Sequence, residues 1–179
     1  MDTKTKIVKN ILLVEDDTGD VELTLAALEE HHLADKIEVV NNGTEVLDYL
    51  YRRGKFKDRA AGNPILVLLD LKMPKVSGLE VLKIIKADEQ LKLIPVVVLS
   101  SSRERPDVVQ CYQHGVNAYV LKAVDYGEFV ESVKQLGIFW TAVNEPPPNT
   151  WCAAPGPVPV PEQENDLNGI PAPYPASGG

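Results

Sequence analysis

The chain is poor in cysteine, and what it has is dispersed. Cys111 and Cys152 are the two, far apart and without metal-ligand spacing. That excludes a disulfide framework and a thiolate zinc site, and it suits a reducing, cytoplasmic compartment. His31, His32 and His114 are equally scattered, and they read as solvated residues at helix ends rather than as ligands. No apolar run is long enough to cross a bilayer, and polar Met1–Asn10 has no signal-peptide core. Glycine-rich phosphate loops, an HExxH pair and a nucleophile elbow are all absent. A net charge of −8 argues against nucleic acid and anionic membrane as general partners. The one basic cluster, Arg52, Arg53, Lys55, Lys57 and Arg59, reads as a solvated loop.

Lysine and arginine are also missing from the whole C-terminal segment. Residues 144–179 hold ten of the 14 prolines and four acids, so they cannot bury enough apolar area to offset their ordering entropy. They are expected to be an extended or disordered tail, leaving residues 1–143 as the folded domain, with 22 acids against 18 bases.

What is present is a regular alternation. Ile65–Leu69 is an unbroken apolar run between Pro64 and Pro74, and it ends on Asp70. The prolines disfavour a helix, so the run predicts a strand buried on both faces. Asn10–Val14 ends on Glu15-Asp16-Asp17, Ile94–Leu99 on Ser100-Ser101-Ser102, and Ala118–Leu121 on Lys122. Lys36–Val40 supplies a fifth strand. Helical repeats fall between the strands: Val21, Leu25 and Leu28 after Thr18 or Asp17; Thr44–Tyr51; Gly78–Ala87; a helix opened by Pro106 and closed by Gly115; and one capped by Asp125. Five strands alternating with five helices predict an α/β fold with parallel, right-handed crossovers. A flavodoxin-like doubly wound five-stranded sheet, order 2-1-3-4-5, fits that count.

In that order the chemistry gathers on one edge. Glu15 and Asp16 come beside Asp70, with Ser100 and Lys122 next to them. Close carboxylates repel unless a cation relieves them, and Mg²⁺ suits such oxygen donors. Asp70 is then an acceptable nucleophile towards phosphorus, with Lys122 and Ser100 able to hold phosphoryl oxygens.

These residues resemble the receiver domains of two-component response regulators. The resemblance runs from Ile11 to about Val143 and rests on Leu13–Asp17 (LVEDD), Leu68–Gly78 (LLDLKMPKVSG), Pro95–Ser101 (PVVVLSS) and Ala118–Lys122 (AYVLK). It implies a phosphoacceptor rather than a classical enzyme. Asp70 takes a phosphoryl group from a sensor histidine kinase, with self-phosphorylation from small phosphodonors and self-dephosphorylation. It further implies an acidic pocket of Glu15 and Asp16. Mg²⁺ is held by Asp16, Asp70, the Lys72 carbonyl and, through water, Glu15. Ser100 and Lys122 contact the phosphoryl group, and Tyr119 is an aromatic switch following Ser100. The loop before the third strand and the ending GIFWTAV (Gly137–Val143) resemble small regulators paired with phytochrome-type kinases, with no output domain and with a downstream phosphotransfer protein as a further candidate partner.

The family commonly has proline after the lysine, in a cis peptide. Here Ala123 stands there, and a cis non-prolyl bond costs about 2.5–4 kcal/mol, so a trans Lys122–Ala123 bond is expected. Two other functions compete. A binding module on the same fold would not need Asp70, Asp16, Ser100 and Lys122 intact. A phosphatase of the haloacid-dehalogenase type would need an acid two residues after the nucleophile, where Lys72 stands. Finally, Phe129, Val130, Val133 and Leu136 fill the inner face of the last helix, so consecutive Ile138, Phe139 and Trp140 cannot all be buried. With Tyr112 and Tyr119 they predict an apolar patch and a homodimer through the fourth helix, fifth strand and fifth helix.

Overall fold

Each strand of the sheet is a short apolar run stopped by turn residues. In a computed structural model of the chain, which describes residues 10–29, 37–122 and 125–147, the runs form β1 (Ile11–Val14), β2 (Ile37–Val40), β3 (Leu66–Asp70), β4 (Val96–Ser100) and β5 (Ala118–Leu121). Between them lie α1 (Thr18–Glu29), α2 (Gly43–Leu50), α3 (Gly78–Ala87), α4 (Arg105–Gln113) and α5 (Tyr126–Ile138). All pairings are parallel and the order is β2-β1-β3-β4-β5, as the alternation predicts. His31, His32, Lys36, Ala123 and the tail from residue 148 lie outside the described residues. The readings made for them, including the Lys122–Ala123 peptide, are therefore not addressed by it.

Successive side chains of a strand point to opposite faces, and the core divides accordingly. Leu12, Val14, Val67, Leu69, Val96 and Val98 pack beneath α2 and α3, with Cys111 of α4. Ile11, Leu13, Leu66, Leu68, Val97 and Leu99 pack with Ala27 and Leu28 of α1 and Phe129 and Val133 of α5. Buried on both sides, the central strands need the unbroken apolar runs that the sequence shows.

The helix ends are set by side chains. Asp17, not Thr18, caps α1: its Oδ1 accepts the Asp20 amide at 2.9 Å. Asn42 and Asp125 do the same for α2 and α5. Ser77 and Glu80 form a reciprocal capping box on α3. Pro106 is the second residue of α4, one later than expected, because Arg105 is already helical. Gly115 ends that helix with a φ of 82°, a conformation favouring glycine.

The basic loop before β3 is not simply solvated, which corrects the sequence reading. Arg59 donates to the carbonyls of Tyr49 at 2.7 Å, Ala60 at 2.9 Å and Gly62 at 2.8 Å, and its guanidinium lies 4.2 Å from the Tyr49 ring centre. A lysine could not reproduce that planar fork. Phe56 is buried edge-on against Tyr49, and Lys55 pairs with Glu45 at 3.0 Å. After α5 a π-helical turn, Phe139–Val143, leaves Phe139 47% exposed while Trp140 packs on the core. Two of the three large side chains, Ile138 and Phe139, leave the core there, where the run predicts at least one.

Candidate phosphoryl-accepting site

The register of the sheet builds the site. Val14 lies beside Leu69, so Glu15 comes level with Asp70. Ser100 lies beside Leu121, so Lys122 follows one step on. Asp70 and Ser100 are the last residues of their strands, and Glu15 and Lys122 the first beyond theirs. All lie at the carboxyl edge, beside the switch point between β1 and β3, where open α/β sheets bind ligands.

The Lys122 ammonium is the hub. Its Nζ is 2.6 Å from Glu15 Oε2, 2.7 Å from Asp20 Oδ2 and 3.5 Å from Asp70 Oδ2. Burial pulls the ammonium pKa down, but the hydrogen bonds to Asp20 and Glu15 and the Asp70 charge outweigh that and push it up to about 12. Burial pushes Glu15 up to about 7, against the Lys122 hydrogen bond, with Asp70 adding repulsion. One ammonium does not neutralise the acids around it. Glu15, Asp16 and Asp70 each offer a carboxylate oxygen within 4.8 Å of the others. Glu15 and Asp70 are buried and Asp16 is exposed, so the set is anchored but open to solvent. An all-oxygen donor set with excess negative charge fits a hard divalent cation.

Ser100 is fully buried, and its Oγ accepts the Ser102 amide at 3.1 Å. Tyr119, half-buried on β5, donates its hydroxyl to the Ser102 carbonyl at 2.9 Å. Ser102 Oγ donates in turn to Asp107 in the first turn of α4 at 2.5 Å. Ser102 thus links Ser100, Tyr119 and α4. Lys72 is exposed, in a loop closed by the Gly78 amide on the Leu71 carbonyl at 3.0 Å.

The sequence brings Glu15, Asp16, Asp70, Ser100 and Lys122 to one edge, and the structure places them there. Asp20, Ser102 and Asp107 were not foreseen. Asp20 and Asp107 sit in first helical turns, where an acid ordinarily reads as a partner of the helix dipole. Ser102 stands in a serine run that offered no way to choose among its members.

This fold and this acidic edge belong to a known class. The response regulator receiver domain family matches residues 11–134, and the chain belongs to that family. Its homologues include single-domain phytochrome-associated regulators. Response regulator Rcp1 of Synechocystis sp. is 35% identical over 132 residues, 74% of this chain and 88% of that protein. The structure of the phosphorylated cyanobacterial phytochrome response regulator RcpA superposes with a TM-score of 0.73 at 37% identity, covering 78% of this chain and 98% of that one. Bacteriophytochrome response regulator RtBRR gives 0.63 at 55% identity, covering 79% and 85%. Rcp1 has also been solved in a Mn²⁺-bound form.

Proposed function

We propose that Asp70 accepts a phosphoryl group from a phosphohistidine of a phytochrome-type sensor histidine kinase, in a Mg²⁺-dependent step. An Asp70 carboxylate oxygen attacks phosphorus, the P–N bond to the donor histidine breaks, and the imidazole leaves with the bonding pair. The product is an acyl phosphate. Mg²⁺, when bound, supplies charge neutralisation for the phosphoryl oxygens. Asp16, Asp70 and the Lys72 carbonyl would hold it, with Glu15 assisting through water. Lys122 meets one phosphoryl oxygen and the Ser100 hydroxyl another. For that, Ser100 exchanges its contact with the Ser102 amide, and Tyr119, tied to the same loop, follows.

One observation carries the reading: Asp70 is a member of an oxygen-donor set and has an ammonium 3.5 Å away. Phosphoryl transfer asks little beyond such positioning and charge neutralisation. Wild type incubated with acetyl phosphate and Mg²⁺ should gain one phosphate by intact mass and lose it on standing. No gain would sink the reading. A phosphorylation-independent binding module has no observation in its favour while Asp16, Asp70, Ser100 and Lys122 are all in place. The setting that fits is cytoplasmic, and among the described residues no helix is long and apolar enough to cross a membrane.

Asp16→Ala tests the cation site. Asp16 is an exposed member of the donor set, so its removal should weaken Mg²⁺ binding at least tenfold while the fold survives. Unchanged affinity by calorimetric titration would remove the site.

The same reading includes a homodimer through α4, β5 and α5. Val109 and Tyr112 of α4, Tyr126 of α5 and Phe139 beyond it are each about half exposed. Apolar side chains in such numbers favour a partner surface. Tyr112→Ala/Phe139→Ala, which spares the core-packed Trp140, should sediment as a monomer where wild type sediments as a dimer at micromolar concentration. A monomeric wild type, with or without phosphate, would end that proposal.

A further inference from the structure

Lys122 has a third carboxylate partner that the phosphoryl-accepting chemistry does not require. Asp20, in the first turn of α1, binds its ammonium at 2.7 Å, closer than Asp70 at 3.5 Å. We propose that Asp20 is a positioning residue that holds Lys122 back from Asp70 in the resting protein and releases it when a phosphoryl group arrives. The proposal rests on the reading of Asp70 as phosphoacceptor.

The two close partners of Lys122 differ in what leaving them would cost. The Glu15 side chain is 3% exposed, so its carboxylate has little access to bulk solvent. Giving up the ammonium would leave a buried carboxylate that must either stay uncompensated or take up a proton. The Asp20 side chain is 34% exposed, so it can exchange the ammonium for solvent at small cost. A phosphoryl group on Asp70 adds negative charge beside an ammonium that already has three carboxylates around it. The bond that yields is the exposed one. Asp20 therefore competes with the phosphoryl group for Lys122 and sets how tightly the modified state is held. The α1 cap fixes this geometry, because Asp17 Oδ1 accepts the Asp20 amide and anchors the first turn.

Beryllium fluoride, a phosphoryl mimic on carboxylates, gives a direct readout when titrated with saturating Mg²⁺ into the full chain. Asp20→Asn and Asp20→Ser should bind it roughly two- to fivefold more tightly than wild type, the equilibrium size of a partly exposed ion pair. Asp20→Glu keeps the carboxylate and should stay near wild type. Asp17→Asn removes a charge from the same turn, retains a capping side chain and has no bond to Lys122, so it should also match wild type. Tighter binding is a gain that a damaged fold would not produce. Equal or weaker binding by both charge-free variants would overturn the proposal, as would an equal gain in Asp17→Asn. A wild type that takes up neither the mimic nor phosphate from acetyl phosphate would overturn the Asp70 reading as well. A wild type that does, beside unchanged Asp20 variants, would overturn this inference alone.

Discussion

Asp70→Asn should gain no phosphate from acetyl phosphate and Mg²⁺ under conditions where wild type is expected to gain one. The substitution keeps the shape of the side chain and its place at the end of β3, where the residue is 7% exposed. It removes the nucleophilic oxygen pair, since an amide cannot give an acyl phosphate. It also removes one charge from a crowded edge, so the variant should melt no lower than wild type, and a loss of phosphorylation then cannot be blamed on unfolding. The rival acceptor is Asp16, exposed on the same edge and within the same donor set. Ser100 is a weaker rival, being fully buried. Intact mass on the two proteins decides the matter. A variant that gains the same phosphate as wild type would move the acceptor away from Asp70.

The site was legible because each central strand is an apolar run that stops on a chemically distinct residue. The period of the pattern gave the element types, and their alternation gave the strand order. From the order followed the meeting of Glu15 and Lys122, 107 positions apart. What the sequence hid were contacts set by loop closure and by helix orientation. Asp20 is one helical turn from a capping residue, and nothing in its spacing distinguishes a lysine partner from a dipole partner. Arg59 looked like one of five solvated cations, because its acceptors are backbone carbonyls that any sequence carries. Only the path of the loop brings Tyr49, Ala60 and Gly62 around one guanidinium. The contact between Tyr119 and Ser102 is hidden for the same reason: Tyr119 reaches the Ser102 carbonyl, not its side chain.

Gly78→Ala should damage both stability and phosphorylation, although the sequence shows this glycine as the end of the LLDLKMPKVSG motif and the first residue of a helix, with no sign of a close contact. A Cβ built there would lie 2.0 Å from the Asp70 carbonyl oxygen and 2.7 Å from the Leu71 Cα. Both are backbone atoms, so no side chain can turn aside to make room. The peptide between Asp70 and Leu71 must move, or α3 must withdraw. Withdrawal would break the hydrogen bond from the Gly78 amide to the Leu71 carbonyl, which closes the loop carrying Lys72. Overpacking of this kind costs about 1–3 kcal/mol, which in a domain of this size lowers the melting temperature by roughly 3–12 °C. The displaced peptide is the one that orients the Asp70 carboxylate and leads to the proposed metal-binding carbonyl. Mg²⁺ affinity and the rate of phosphorylation by acetyl phosphate should therefore fall together, and Mg²⁺ should restore less of the melting temperature than it adds to wild type. Glu80→Gln, on the outer side of the same first turn, is the comparison, because it weakens the α3 cap without touching the Asp70 backbone. It should lower the melting temperature modestly and leave phosphorylation unchanged. If Gly78→Ala melts and phosphorylates like wild type, the close approach of α3 to the end of β3 does not position the acceptor.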